Sequence, residues 1–124
     1  MDTLSTDACL FVRIGGAAAV DAAVELFYSK VLADERVNGF FTKTDMTQQR
    51  QMQKLFLTYA FGGTTKWTGR SLRAAHKKMS LSEMHFSAIA ECLTATLKEL
   101  GVGQDLIDEC MAIVGTTHDD VLNL

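Results

Sequence analysis

Apolar residues recur along the chain at spacings of three and four, and no alternating run is long enough for a strand. A short amphipathic start, Asp7 to Ile14, stops at Gly15-Gly16, a pair suited to a sharp change of direction. From Ala17 to about Ala33, Val20, Val24, Phe27 and Val31 share one helical face, with Tyr28 and Leu32 beside it. Asp34 caps a brief turn through Glu35, Arg36 and Val37, and the Phe40-Phe41 pair is too apolar to leave in water. Asp45 and Gln48 stand in the D-x-x-Q relation of a capping box. That box predicts a helix from about Met46 to Phe61, ended by Gly62-Gly63.

Thr64 to Gly69 reads as a loop, and Ser71 to Lys78 as a helix of about two turns. Ser80 and Glu83 form an S-x-x-E box ahead of a long helix striped by Phe86, Ile89, Leu93, Leu97 and Leu100. After Gly101-Val102-Gly103, a last helix carries Leu106, Ile107, Cys110, Met111, Ile113 and Val114, with Gly115 loosening its C-terminal part. The pattern predicts an all-α chain, and 124 residues suffice for one domain, 1–124, with a single core.

Composition agrees with that picture. Proline is absent, so helices can run unbroken. The chain is 48% hydrophobic and 22% charged, far from the regime of disorder. A formal charge of −3 gives no footprint for nucleic acid or an anionic membrane, and no apolar run approaches the roughly 20 residues needed to span one. The start, MDTLSTDACLF, lacks a basic stretch leading into an apolar one, so a soluble cytoplasmic protein is expected, without an evident organelle signal. Cys9, Cys92 and Cys110 are odd in number and without CxxC spacing, which fits buried or free thiols.

The unusual chemistry is in the helix that begins near Met46. Gln49, Gln53, Phe56, Leu57 and Ala60 share a face with Met52 at its edge, and burying that face buries two amides. A rotated helix with both glutamines in water satisfies the spacing equally well. Tyr28 poses the same question, since its hydroxyl wants a partner when buried, and one polar cavity shared with Gln49 and Gln53 answers both. Of the histidines, His76, His85 and His118, none has the neighbours of a zinc site. Taken alone, each has the ordinary reading of a core or surface histidine. His76 differs in lying on the short segment between two long helices, beside Arg70, Arg73, Lys77 and Lys78. One neutral imidazole with cations nearby suits an iron whose organic ligand bears carboxylates.

The segments IGGAAAVDAAVELFYSKVLADERVNGFF, TDMTQQRQMQKLFLTYAFGG, RAAHKKM, MHFSAIAECLTATLKELGV and DDVLNL resemble the group I truncated haemoglobins over nearly the whole chain. The resemblance implies a truncated globin fold, a two-over-two helical sandwich around a b-type haem. It makes His76 the proximal iron ligand, with its second ring nitrogen donating to a backbone carbonyl or water. Tyr28, Gln49 and Gln53 become distal groups that hydrogen-bond a diatomic ligand, and Phe41, Phe56, Trp67, Leu72 and Phe86 become haem contacts.

Three positions depart from the family pattern. Leu57 stands where some members carry a phenylalanine proposed to gate a ligand tunnel. Met52 stands where others have a histidine or lysine able to take the sixth site of iron, so Met52 is a candidate for that site as well as for the haem contact set. Thr117 stands where a histidine can be linked covalently to haem, and His118 falls one residue later, about 100° round a helix. The function implied is reversible binding of O2, and of NO and CO, with oxygen transport or nitric oxide dioxygenation and detoxification as its uses. A monomer served by an unidentified reductase is expected. The alternative is a six-coordinate electron-transfer or redox- and gas-sensing haem protein.

Overall fold

The structure, a computed structural model, describes residues 8–65, 67 and 70–124. Its helices are α1 (Leu10–Arg13), α2 (Gly16–Leu32), α3 (Met46–Ala60), α4 (Leu72–His76), α5 (Glu83–Glu99), α6 (Gln104–Gly115) and α7 (His118–Leu122). A 3₁₀ turn at Asn38–Phe41 joins α2 to α3, and no strand occurs among the described residues.

The stripe read from α2 is the centre of the core. Val24 and Val31 are fully buried and Val20 and Phe27 nearly so, against Ala88, Leu93 and Leu97 of α5 and Ile107 and Cys110 of α6. Two helix pairs, α2 with α3 and α5 with α6, are joined where α2 packs on α5. That is the two-over-two sandwich expected from the sequence. Thr96 is the buried polar residue of the core, and its hydroxyl donates to the Cys92 carbonyl at 2.8 Å, so its burial leaves no donor unpaired. The three thiols are free, and burial pushes Cys110 up to about 11, which leaves it a protonated core residue.

Helix starts follow the local chemistry, with one correction. Asp45 caps α3 by accepting from the backbone N–H groups of Thr47 (3.0 Å) and Gln48 (3.3 Å). The expected Ser80–Glu83 box does not form. Ser80 is in the left-handed region at φ 53, and α5 begins after Ser82, whose N–H donates to His85 Nδ1 at 3.0 Å. Glu83, the first residue of α5, is 2.7 Å from His118 Nε2. The last predicted helix divides after Gly115, where the Thr116 and Thr117 hydroxyls donate to the carbonyls of Ile113 and Val114, each at 2.6 Å.

The glycine pairs act in two ways. Gly15, at φ 121, precedes α2, which starts at Gly16 rather than Ala17. Gly63 is required for space: a Cβ there would stand 2.7 Å from the Phe11 ring and 2.9 Å from Thr58 Cγ2. Close approach of α1 to the end of α3 is completed by the Phe11 N–H, which donates to the Phe61 carbonyl at 2.9 Å. Gly63→Ala is expected to destabilise the protein by about 1–3 kcal/mol through overpacking. Urea unfolding measures this, and an unchanged midpoint would show that the contact yields freely.

Candidate functional site

Tyr28 lies on α2 at 2% exposure, wedged edge-on between Phe27 (ring centroids 5.0 Å apart) and Phe41 (5.9 Å). Its hydroxyl accepts a hydrogen bond from Gln49 Nε2 at 3.0 Å. Burial raises the Tyr28 pKa, against the opposing effects of the Gln49 bond and the Arg50 charge, so the phenol keeps its proton through the neutral range. Because the amide donates into the phenolic oxygen, that proton remains free to be donated to a third group.

Ion pairs run along the outer side of α3. Arg50 Nε is 3.4 Å from Glu25 Oε1, and Lys54 Nζ is 3.4 Å from Glu25 Oε2 and 3.9 Å from Asp21. The Arg50 contact is ionic only, since its buried Nε lacks a hydrogen bond of good geometry. With α3 turned this way, Gln49 lies over Tyr28 and Leu57 enters the core. Leu57 is buried, Gln53 and Phe56 are half-buried, and Met52 is 38% exposed. Gln53 has no hydrogen bond to any described residue, so both ends of its amide are available. Phe56 meets Trp67 edge-on at 5.4 Å, and Trp67 Nε1 donates to the Arg70 carbonyl at 3.0 Å.

His76 is the last residue of α4, a helix capped by Ser71 Oγ, which accepts from the Ala74 N–H at 3.1 Å. Its Nδ1 stands 2.7 Å from the Leu72 carbonyl. A carbonyl only accepts, so Nδ1 carries the proton and Nε2 the lone pair. The ring is half-buried, as are Leu72 and Phe86. No group of three or more His, Cys, Asp or Glu side chains that could hold a metal occurs among the described residues.

The predicted residues thus fall into local groups: Tyr28 with Gln49 and Phe41, Phe56 with Trp67, Leu72 with His76, and Phe86 with His118 at 5.0 Å. Helix α3 packs chiefly on α2 and α4 chiefly on α7, without extensive contact between α3 and α4. One cluster had no sequence signal. His118 lies between Asp119 (2.8 Å) and Glu83 (2.7 Å), and Arg73 lies 3.2 Å from Asp120. Glu83 is 35 residues from His118, a pairing that spacing does not reveal.

The donor set fits haem. One imidazole with a fixed tautomer suits an iron already held by four macrocycle nitrogens, and half-buried aromatic and aliphatic side chains suit a flat apolar ring. Known proteins agree. Residues 9–123 match the family of bacterial-like globins. The chain is 52% identical over 120 residues to a group 1 truncated hemoglobin of Synechocystis sp., covering 92% of this chain and 97% of that protein. It is 48% identical over 113 residues to a group 1 truncated hemoglobin of Tetrahymena pyriformis, covering 91% and 93%. The 2/2 hemoglobin of Synechococcus sp. PCC 7002, solved in the cyanomet state with covalently attached heme, superposes with a TM-score of 0.90 at 59% identity, covering 94% of this chain and all of that one. The chain belongs to the bacterial-like globins and, within them, to the group I truncated haemoglobins, whose cofactor is haem.

Proposed function

We propose that this truncated haemoglobin reversibly binds O2, and also NO and CO, with His76 as proximal ligand and Tyr28, Gln49 and Gln53 as distal donors. The observation that carries this reading is the direction of the Gln49–Tyr28 hydrogen bond, which leaves a neutral, buried phenol with an unused proton. Haem b supplies an iron with an axial position open to a diatomic gas. The protein's part is to hold and orient. His76 presents Nε2 because Leu72 holds the proton on Nδ1. Tyr28 offers its O–H from a water-poor setting, where a hydrogen bond to partial negative charge is stronger than in solvent. Gln53 offers an amide with no other claim on it. Phe41, Phe56, Trp67, Leu72 and Phe86 provide the apolar contact.

Related structures support the distal assignment. Tetrahymena pyriformis truncated hemoglobin has been solved in Fe(III) form with one tyrosine and two glutamines altered, and their sequence separations equal those of Tyr28, Gln49 and Gln53 here. The same site would suit NO dioxygenation: Tyr28, Gln49 and Gln53 would hold the bound O2, His76 would hold the haem that supplies the one electron needed to turn one NO and one O2 into one nitrate, and a reductase would return it. A cytoplasmic monomer is the working form we favour. Among the described residues no helix is long and apolar enough to cross a membrane.

Met52 bears on the sixth coordination site, and we favour an open one because a methionine is more often apolar filler than an iron ligand. A high-spin ferric spectrum is the expected result, and a low-spin spectrum in both oxidation states would instead support six-coordinate electron transfer. Tyr28→Phe is expected to speed O2 dissociation by about tenfold, measured by stopped flow; an unchanged off-rate would remove the distal network. His76→Gly should purify without haem and regain a haem spectrum when imidazole is added. With the Thr117 hydroxyl donating to the Val114 carbonyl and His118 committed to two carboxylates, haem should extract fully into acidified organic solvent. Haem that stayed with the polypeptide would show a covalent link.

A further inference from the structure

Helix α4 has only five residues, too few to be stable alone, and its principal neighbour is α7. Arg73 of α4 lies 3.2 Å from Asp120 Oδ1, and its Nη2 donates to the Leu124 carbonyl at 3.1 Å. On the other side of α7, His118 Nε2 is 2.7 Å from Glu83 Oε1 of α5, and its ring meets the edge of Phe86 at 5.0 Å. Helix α4 makes no extensive contact with α5. The short helix bearing His76 is therefore tied to the long helix α5 through α7.

The His118 ring makes this tie conditional. Nδ1 faces Asp119 Oδ1 at 2.8 Å while Nε2 faces Glu83, and a carboxylate only accepts. Both contacts are satisfied only when both nitrogens carry protons; a neutral ring turns a lone pair toward one of the anions. Glu83 from α5 and Asp119 from α7 are the charged groups that face the ring, and α4 adds Arg73 only by way of Asp120.

We propose that α7 is a clasp that sets how firmly His76 is held, with Arg73 and His118 as positioning residues, fastened while the His118 ring carries two protons and loosened when it loses one. This rests on the reading of His76 as the iron ligand. The Asp119 and Glu83 bonds raise the His118 pKa. A raised folded-state pKa means that the clasp is fully fastened below the unfolded value of about 6.5 and weakens as pH rises through the folded one. All five side chains are partly exposed, from 29% for His118 to 74% for Asp119, so the effect is modest and screened by salt.

The ferrous holoprotein without gas tests this. Resonance Raman reads the iron–histidine stretching band, and transfer of haem to excess apomyoglobin reads how firmly the group is retained. Arg73→Met is expected to shift or broaden the band and speed haem transfer by about two- to fivefold, the range open to an exposed ion pair. Arg73→Lys should restore part of the loss, and high salt should mimic it. Raising the pH from about 6 to about 9 should act likewise on the unaltered protein, and His118→Gln should remove that dependence. A band and transfer rate that Arg73→Met leaves unmoved, or a pH response that survives in His118→Gln, would overturn the clasp alone. Absence of an iron–histidine band in the unaltered protein would overturn the assignment of His76, and the clasp with it. Circular dichroism checks that the variants keep their helices; if Arg73→Met does not, Asp120→Asn carries the same test.

Discussion

Everything in this molecule depends on α2 serving two partners at once. Its valine stripe is buried against α5 and α6, and the same helix must turn Tyr28 toward α3. Positions 24, 28 and 31 differ by four and three residues, so the apolar stripe and the phenol lie on adjacent lines of one surface. The core therefore fixes Tyr28 without any dedicated support. Burial of the valines supplies the free energy, and the hydroxyl enters the apolar interior because Gln49 satisfies its oxygen.

Polar chemistry is divided between two structural settings. The Tyr28 side is held by long helices, with Leu57 of α3 in the core and ion pairs to α2 on its outer side. The His76 side rests on a five-residue helix held by the Ser71 cap, by the His76–Leu72 hydrogen bond and by contacts to α7 and the residues after it. On the reading proposed above, the stiff half would set the geometry of a bound gas and the softer half would respond to charge. The stiff half lies beside the most buried residues and the soft half near the C-terminal end, where surface charges are numerous.

The fold is retained at identities near half. The resemblance singled out Leu57, Met52 and Thr117 as positions where this sequence leaves the family pattern. Leu57 is part of the core here, Met52 is 38% exposed, and Thr117 stands just before α7 with its hydroxyl donating to the Val114 carbonyl.

Helix positions, the all-α class and the core stripe were legible in the sequence because they follow from local periodicity and from glycine and capping residues. Even there, the start of α5 differs: Ser80 carries the S-x-x-E pattern but takes a left-handed backbone conformation, and the cap is Ser82, whose N–H is met by His85 rather than by a glutamate. Spacing placed Tyr28, Gln49 and His76 as candidates but left a solvated glutamine face equally open. Only the packing of α3 on α2 decided that Gln49 reaches the phenol, and only the turn of α4 decided which nitrogen of His76 holds the proton. Periodicity is a property of one helix, whereas the direction of a hydrogen bond and the partner of a charge belong to two elements brought together by the fold.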